Sequence, residues 1–358
     1  LLTAESEAVT DVLAVATSVA VSSLGLAGAG GRAKADIRNR TEAGVGAGGV
    51  LSAGNDVMVF AHSDTEDTAV ECEGIGGAVF AAIGGSVAEI DIGGATIARV
   101  EGTVTDARDL RITSAASSSP HARAVAVAGG IVSGAGADAA ARVSPEILAG
   151  TGTKDIQVRG EVVITSLSEA DALAHAVGVA AGGVSVGVSL AEAAITPDVR
   201  TVVEGGTLTA GQGIHLRSLH NHNTAGQRLD KGAQAWAVSP SGALVGGNGA
   251  DARASASPDA ETCVGSGAVL SAGGDIVLET LAGNVATAGS GGLSGGAISV
   301  GGSTSEAVSG GTIGSRLEGA VTSGADLHIT AKGFGAVDSE AVAVAGGIVS
   351  GAGADAAA

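Results

Sequence analysis

The chain has 358 residues, of which 61 are glycine, three are phenylalanine, one is tryptophan and none is tyrosine. So few large side chains exclude an ordinary globular core, in which aromatics and leucine supply most of the buried area; the interior must be narrow, with backbones close together. Thirty-seven acidic against 18 basic residues give a formal charge of −19, a balance that disfavours nucleic acid and anionic membrane as partners and suits an exported protein.

The amino-terminal region opens the first of several similar units. Its recognisable phrase, LSAGNDVMVFAHS from Leu51, is a small polar turn followed by alternating apolar residues. The phrase returns as VTDARDLRITSAAS from Val104, VRGEVVITSLS from Val158, LTAGQGIHLRS from Leu208, LSAGGDIVLET from Leu270 and VTSGADLHITA from Val321. Aligning Asp56, Asp109, Glu161, Gly213, Asp275 and Asp326 gives spacings of 53, 52, 52, 62 and 51. Gly, Asn and Asp supply turn chemistry, and the period-2 alternation that follows predicts a strand. The units are bounded at about 1–65, 66–119, 120–170, 171–222, 223–284, 285–335 and 336–358, the last partial. The spacing of 62 places an insertion of about ten residues between Asn221 and Glu261, a stretch that holds the only tryptophan.

Between phrases run long segments of alanine, glycine, valine and serine. One of them, AVAVAGGIVSGAGADAAA at 124–141, is repeated letter for letter at 341–358, four units later. In the segment from Ala172 to Ala191 the valines occupy 177 and 179, then 184, 186 and 188, so the register flips at Gly182-Gly183 as a bulge or corner requires. That uncharged run has the length of a membrane helix, but its alternation and central glycines predict strand. Neither face is polar, which predicts that both faces lie against protein. Together these features predict an all-β, elongated β-solenoid with a thin Ala/Gly/Val core, built as a single repeat array over 1–358. Two rungs of about 26 residues per unit are expected, because 52 is long for one coil. The array is expected to begin and end in mid-pattern.

The repeated phrase, as LSAGGDIVLET and LTAGQGIHLRS, resembles the glycine-rich arrays of large filamentous-haemagglutinin-like bacterial exoproteins. What the resemblance implies is a secreted β-solenoid shaft that serves adhesion or builds cell-surface structures. The expected function is therefore non-enzymatic: a region of an extracellular fibre or adhesin that self-associates into filaments or a sheath. Its partners would be further copies of itself, neighbouring repeats of a longer chain and cell-surface glycans, with neither nucleic acid nor membrane insertion.

Two other readings stay open, a calcium-binding repeat module and a solenoid carbohydrate-active enzyme. GGNGADARA at 246–254 matches the start of a calcium nonapeptide, with Asn248 and Asp251 as first ligands, although Arg253 stands where an apolar residue belongs. A turn without metal is the expected outcome, and no cofactor is expected otherwise. SLHNHN at 218–223 puts His220 and His222 on one side of an extended strand, with His215 as a third imidazole for a transition metal; a polar solvated loop is the expected outcome there. Asp64, Glu66 and Asp67 are the only grouped carboxylates that suggest a hydrolase groove, and a charged turn is expected there instead. Cys72 and Cys263 are expected as two isolated thiols. No catalytic triad or phosphate-cradling loop is present.

Overall fold

The computed structural model describes all 358 residues as 22 β-strands with no helix. The run at 172–191 lies in the strand Ala172–Ile195, and no helix is long and apolar enough to cross a membrane. Every ladder between strands is parallel, and each residue pairs with one 51 to 62 positions further on. The six aligned phrase residues stand in one column. Their carbonyls accept the backbone N–H groups of Leu2, Val57, Leu110, Val162, Ile214 and Ile276.

No ladder runs at an offset near 26, so the expectation of two stacked rungs per unit is corrected. The long Ala/Val segment goes out and back within one layer. Its outward leg, such as 120–130, pairs only with the same leg one turn on, and so does its return leg, 132–143. The two legs face each other without hydrogen bonding. At Gly74, Gly76 and Gly178, an added Cβ would press against the carbonyl oxygens of Gly85, Ile83 and Val188 on the opposite leg.

Two interiors follow from this path. Between the legs lies a core of 36 residues, 29 of them alanine. Alongside it, the phrase strands and the short strands such as Glu146–Thr151 and Ile156–Val158 surround a second core of 27 residues, 18 of them Val, Leu or Ile. A seam of buried hydroxyls runs beside the second core. Thr201 Oγ1 donates to Arg217 O with Ser166 Oγ 3.0 Å away, Thr262 Oγ1 to Glu279 O with Ser218 Oγ 3.1 Å away, and Thr280 Oγ1 to Gly314 O with Thr262 Oγ1 2.9 Å away. These bonds satisfy carbonyls that the apolar cores cannot.

The register flip is present: even positions are buried from Ala172 to Ala180 and odd positions from Ser185 to Ile195. The expectation that both faces lie against protein is overturned. Val184, Val186, Val188 and Leu190 are 42 to 51% exposed. The inward face takes the smaller side chain where the legs approach most closely, while Val143 and Ile195 are buried near the end of the return leg. Six strands close a ring of pairings, Leu110–Val143, Val162–Ala170, Ile214–His220, Ile276–Gly295, Ala233–Ala256 and Ala172–Ile195. The ring closes because the first and fourth of these run continuously through phrase and outward leg.

Several aspartates serve the corners. Asp109 Oδ1 accepts from Glu161 N, Asp155 Oδ1 from Thr207 N, Asp259 Oδ1 from Thr312 N and Asp275 Oδ1 from Asp326 N. Each aspartate carries the ladder to the next turn where the backbone bends away.

Candidate functional site

The insertion is where one turn departs most from the others. The offset is 52 at Ser168–His220, 61 at Ala172–Ala233 and 62 from Gly205–Gly267 onward. Nine extra residues therefore leave the corner between His220 and Ala233, and the tenth sits at the bulge after Val264, where two residues oppose Glu204. The excursion closes on itself: Asn223 Oδ1 accepts from Ala225 N and Gln227 N, and Gly226 turns the chain at φ +77°.

Asn221 seals the corner. It adopts φ +48° and is buried, and its amide takes over a rung of the ladder. Ala170 N donates to Asn221 Oδ1 at 2.8 Å, while Asn221 Nδ2 donates to Ala170 O at 3.1 Å. Lys231 closes the base, reaching Glu66 at 3.0 Å and Glu169 at 2.9 Å.

The three candidate imidazoles, His215, His220 and His222, are not brought together around one point. His220 is fully buried, with Nδ1 at 3.2 Å from Ser168 Oγ and Nε2 unpartnered, and burial pushes its pKa down to about 3. His222 Nδ1 meets the His220 carbonyl at 2.9 Å. The left-handed Asn221 between them breaks the alternation that would have put both rings on one face. The expected solvated loop is corrected at these positions, since His220, Asn221 and His222 are all buried. His215 lies on the outer face.

Asn248 and Asp251 are likewise separated, which corrects their pairing as calcium ligands. The Asn248 amide is buried between the legs beside Gly292 and Gly301, without a hydrogen-bond partner. Asp251, three residues on, faces outward and pairs with Arg253 at 3.3 Å. No group of three or more His, Cys, Asp or Glu side chains is placed to hold a metal. Asp64, Glu66 and Asp67 form a turn in which Asp64 Oδ1 accepts from Glu66 N. Lys231 holds the Glu66 carboxyl below its usual range, so no paired carboxylates with separated roles arise. Cys72 and Cys263 are both free thiols.

Beside the insertion lies an open groove of about 450 Å³. Arg111, His215 and Arg217 line it with Thr113 and Thr165, and Thr224 of the insertion forms its far wall. Arg217 donates to Thr224 O at 3.2 Å and contacts Glu279 at 3.3 Å. Glu161 is the only carboxylate in the lining. The groove can receive a polar or anionic group, but it holds neither a nucleophile–base pair nor two carboxylates across a gap.

Two features escaped the residue-level reading. Asn221 is visible only once the ladder shows a rung without backbone to fill it. Trp236 pairs with His175 on one side and Gly289 on the other, and aligning the units would have set the lone indole beside a glycine. No family model, no curated protein and no solved structure matches the chain.

Proposed function

We propose that the chain is a non-enzymatic structural region of a secreted or cell-surface fibre or adhesin. On this reading it is a β-solenoid shaft of about seven turns, of the kind its phrases share with filamentous-haemagglutinin-like exoproteins, and it self-associates into filaments or a sheath. The observation that carries the reading is the parallel pairing of each turn with the next, which continues across small bulges from Leu2 to Ala357. A stack of this kind transmits load through backbone ladders and grows by adding turns.

One further observation supports it. Aliphatic side chains stand in water along the return legs, among them Val186, Leu190 and Val300, where they favour lateral contact. Further copies, neighbouring repeats of a longer chain and cell-surface glycans are the partners of such a shaft.

Negative-stain microscopy with light scattering over a concentration series tests the proposal. Filaments or laterally joined particles that grow with concentration are expected. Discrete monomers at every concentration would overturn self-association.

A further inference from the structure

The only tryptophan is held on the outside, on the outer face of the outward leg, and is 38% exposed. The alanine core has no room for it. Its benzenoid ring instead fills the space where a Gly289 side chain would stand; a Cβ there would collide with Cε3 and Cζ3. Glycine within a strand weakens it and marks a close approach. Here the approach is the indole itself, laid along the sheet over the next turn.

The neighbours divide by chemistry. Along the strand the flanking outward residues are Gln234 and Val238, and across the ladders lie His175 and Gly289, with Glu340 one turn beyond. Thr287, opposite Gln234, completes a polar side, while Val177, opposite Val238, belongs to an aliphatic side.

We propose that Trp236, with Gln234, His175, Thr287 and Glu340 around it, is a binding platform for a neutral pyranoside glycan. A pyranose presents one face of C–H bonds, which carry partial positive charge and suit the electron-rich indole face, and a rim of hydroxyls that need donors and acceptors. Gln234 and Thr287 offer both. Burial and the nearby Arg123 charge lower the pKa of His175, so its ring is neutral at physiological pH and also offers both. Arg123, paired with Glu73, and Glu340 each stand two ladder steps from Trp236 on opposite sides, and the overall charge of −19 repels uronates and sulfated sugars, which is why the ligand class is neutral.

The inference gives the fibre reading a glycan partner, but binding engages one face of adjacent turns and needs no assembly. Failure of one therefore leaves the other standing. Because Trp236 is the sole indole, its fluorescence reports this site alone. Cellotriose and N-acetylated chitotriose are titrated against the intact chain to about 20 mM, above the millimolar affinity that a few contacts provide, with trigalacturonate as the anionic control. Assembly is followed in parallel by sedimentation.

A saturable emission shift with at least one neutral trisaccharide, and at least tenfold weaker response to trigalacturonate, is expected. Gly289→Val, which keeps the indole but displaces it, should weaken binding at least tenfold, and Gln234→Ala together with Thr287→Val should do so without touching the ring's seat. No saturable shift with either neutral sugar would overturn the proposal. So would wild-type binding by the folded variants, or an emission change that follows protein concentration alone, which would make a second copy the occupant.

Discussion

Gly178 and Gly136 provide a paired test of how closely the two legs approach. Both are strand glycines with no left-handed requirement, yet their surroundings differ. A Cβ on Gly178 would stand 2.7 Å from Val188 O and 3.0 Å from Ser189 Oγ, whereas one on Gly136 would meet nothing within 4 Å. To restore ordinary contact in Gly178→Ala the legs must separate by roughly 0.5–0.7 Å, and both are tied to the turns on either side, so the shift cannot be absorbed locally. Overpacking of this kind costs about 1–3 kcal/mol. It is partly offset by the about 0.5–1 kcal/mol that alanine gains over glycine in a strand. Gly136→Ala keeps that gain and meets no clash. Urea denaturation followed by far-UV circular dichroism and Trp236 emission should therefore show a lowered midpoint for Gly178→Ala and a raised one for Gly136→Ala. The gap should be about 1–3 kcal/mol with slopes unchanged. Equal stabilisation by both alanines would refute the close approach of the legs.

Three other outcomes are expected. Leu216→Ala, at a fully buried position of the Val/Leu/Ile core, should cost about 3–5 kcal/mol in the same denaturation assay. Asn221→Ala leaves Ala170 N and O without partners and forces alanine into positive φ; a loss of at least about 2 kcal/mol is expected, with faster hydrogen exchange at the Ala170 amide. His220 is neutral in the fold with a pKa of about 3, against 6.5 when unfolded. The unfolded chain thus binds a proton that the folded chain does not, and stability should fall as pH drops from 6.5 toward 3, by up to about 1.4 kcal/mol per unit. His220→Asn should flatten that part of the stability–pH curve measured by thermal unfolding.

The column of Asp56, Asp109, Glu161, Gly213, Asp275 and Asp326 is legible in the sequence because each marks a corner with turn chemistry, and corners recur once per turn whatever lies between. The flip at Gly182-Gly183 is legible for the same reason, since alternation records which way each side chain points. What alternation does not record is which face looks inward. Valine outward and alanine inward reverses the usual rule, and the reason is a distance between two legs, set by residues far apart in sequence. The 26-residue rung fails likewise: period and composition do not separate a second stacked layer from an out-and-back excursion within one layer. At the insertion, SLHNHN carries two imidazoles, but the left-handed turn at Asn221 between them arises from where the ladder must be resealed. Trp236 was conspicuous by its rarity, yet its seat belongs to Gly289, a turn away.

The stacking itself is tested most directly by one distance. Met58, Arg111, Val163, His215, Val277 and His328 form a single outward column, each paired with the next. With Cys72 and Cys263 replaced, spin labels at positions 58 and 328 are separated by five ladder steps, and double electron–electron resonance should give a backbone separation of about 24 Å at the usual strand spacing. A separation near 48 Å, as ten steps of about 26 residues would produce at the same spacing, would contradict the account.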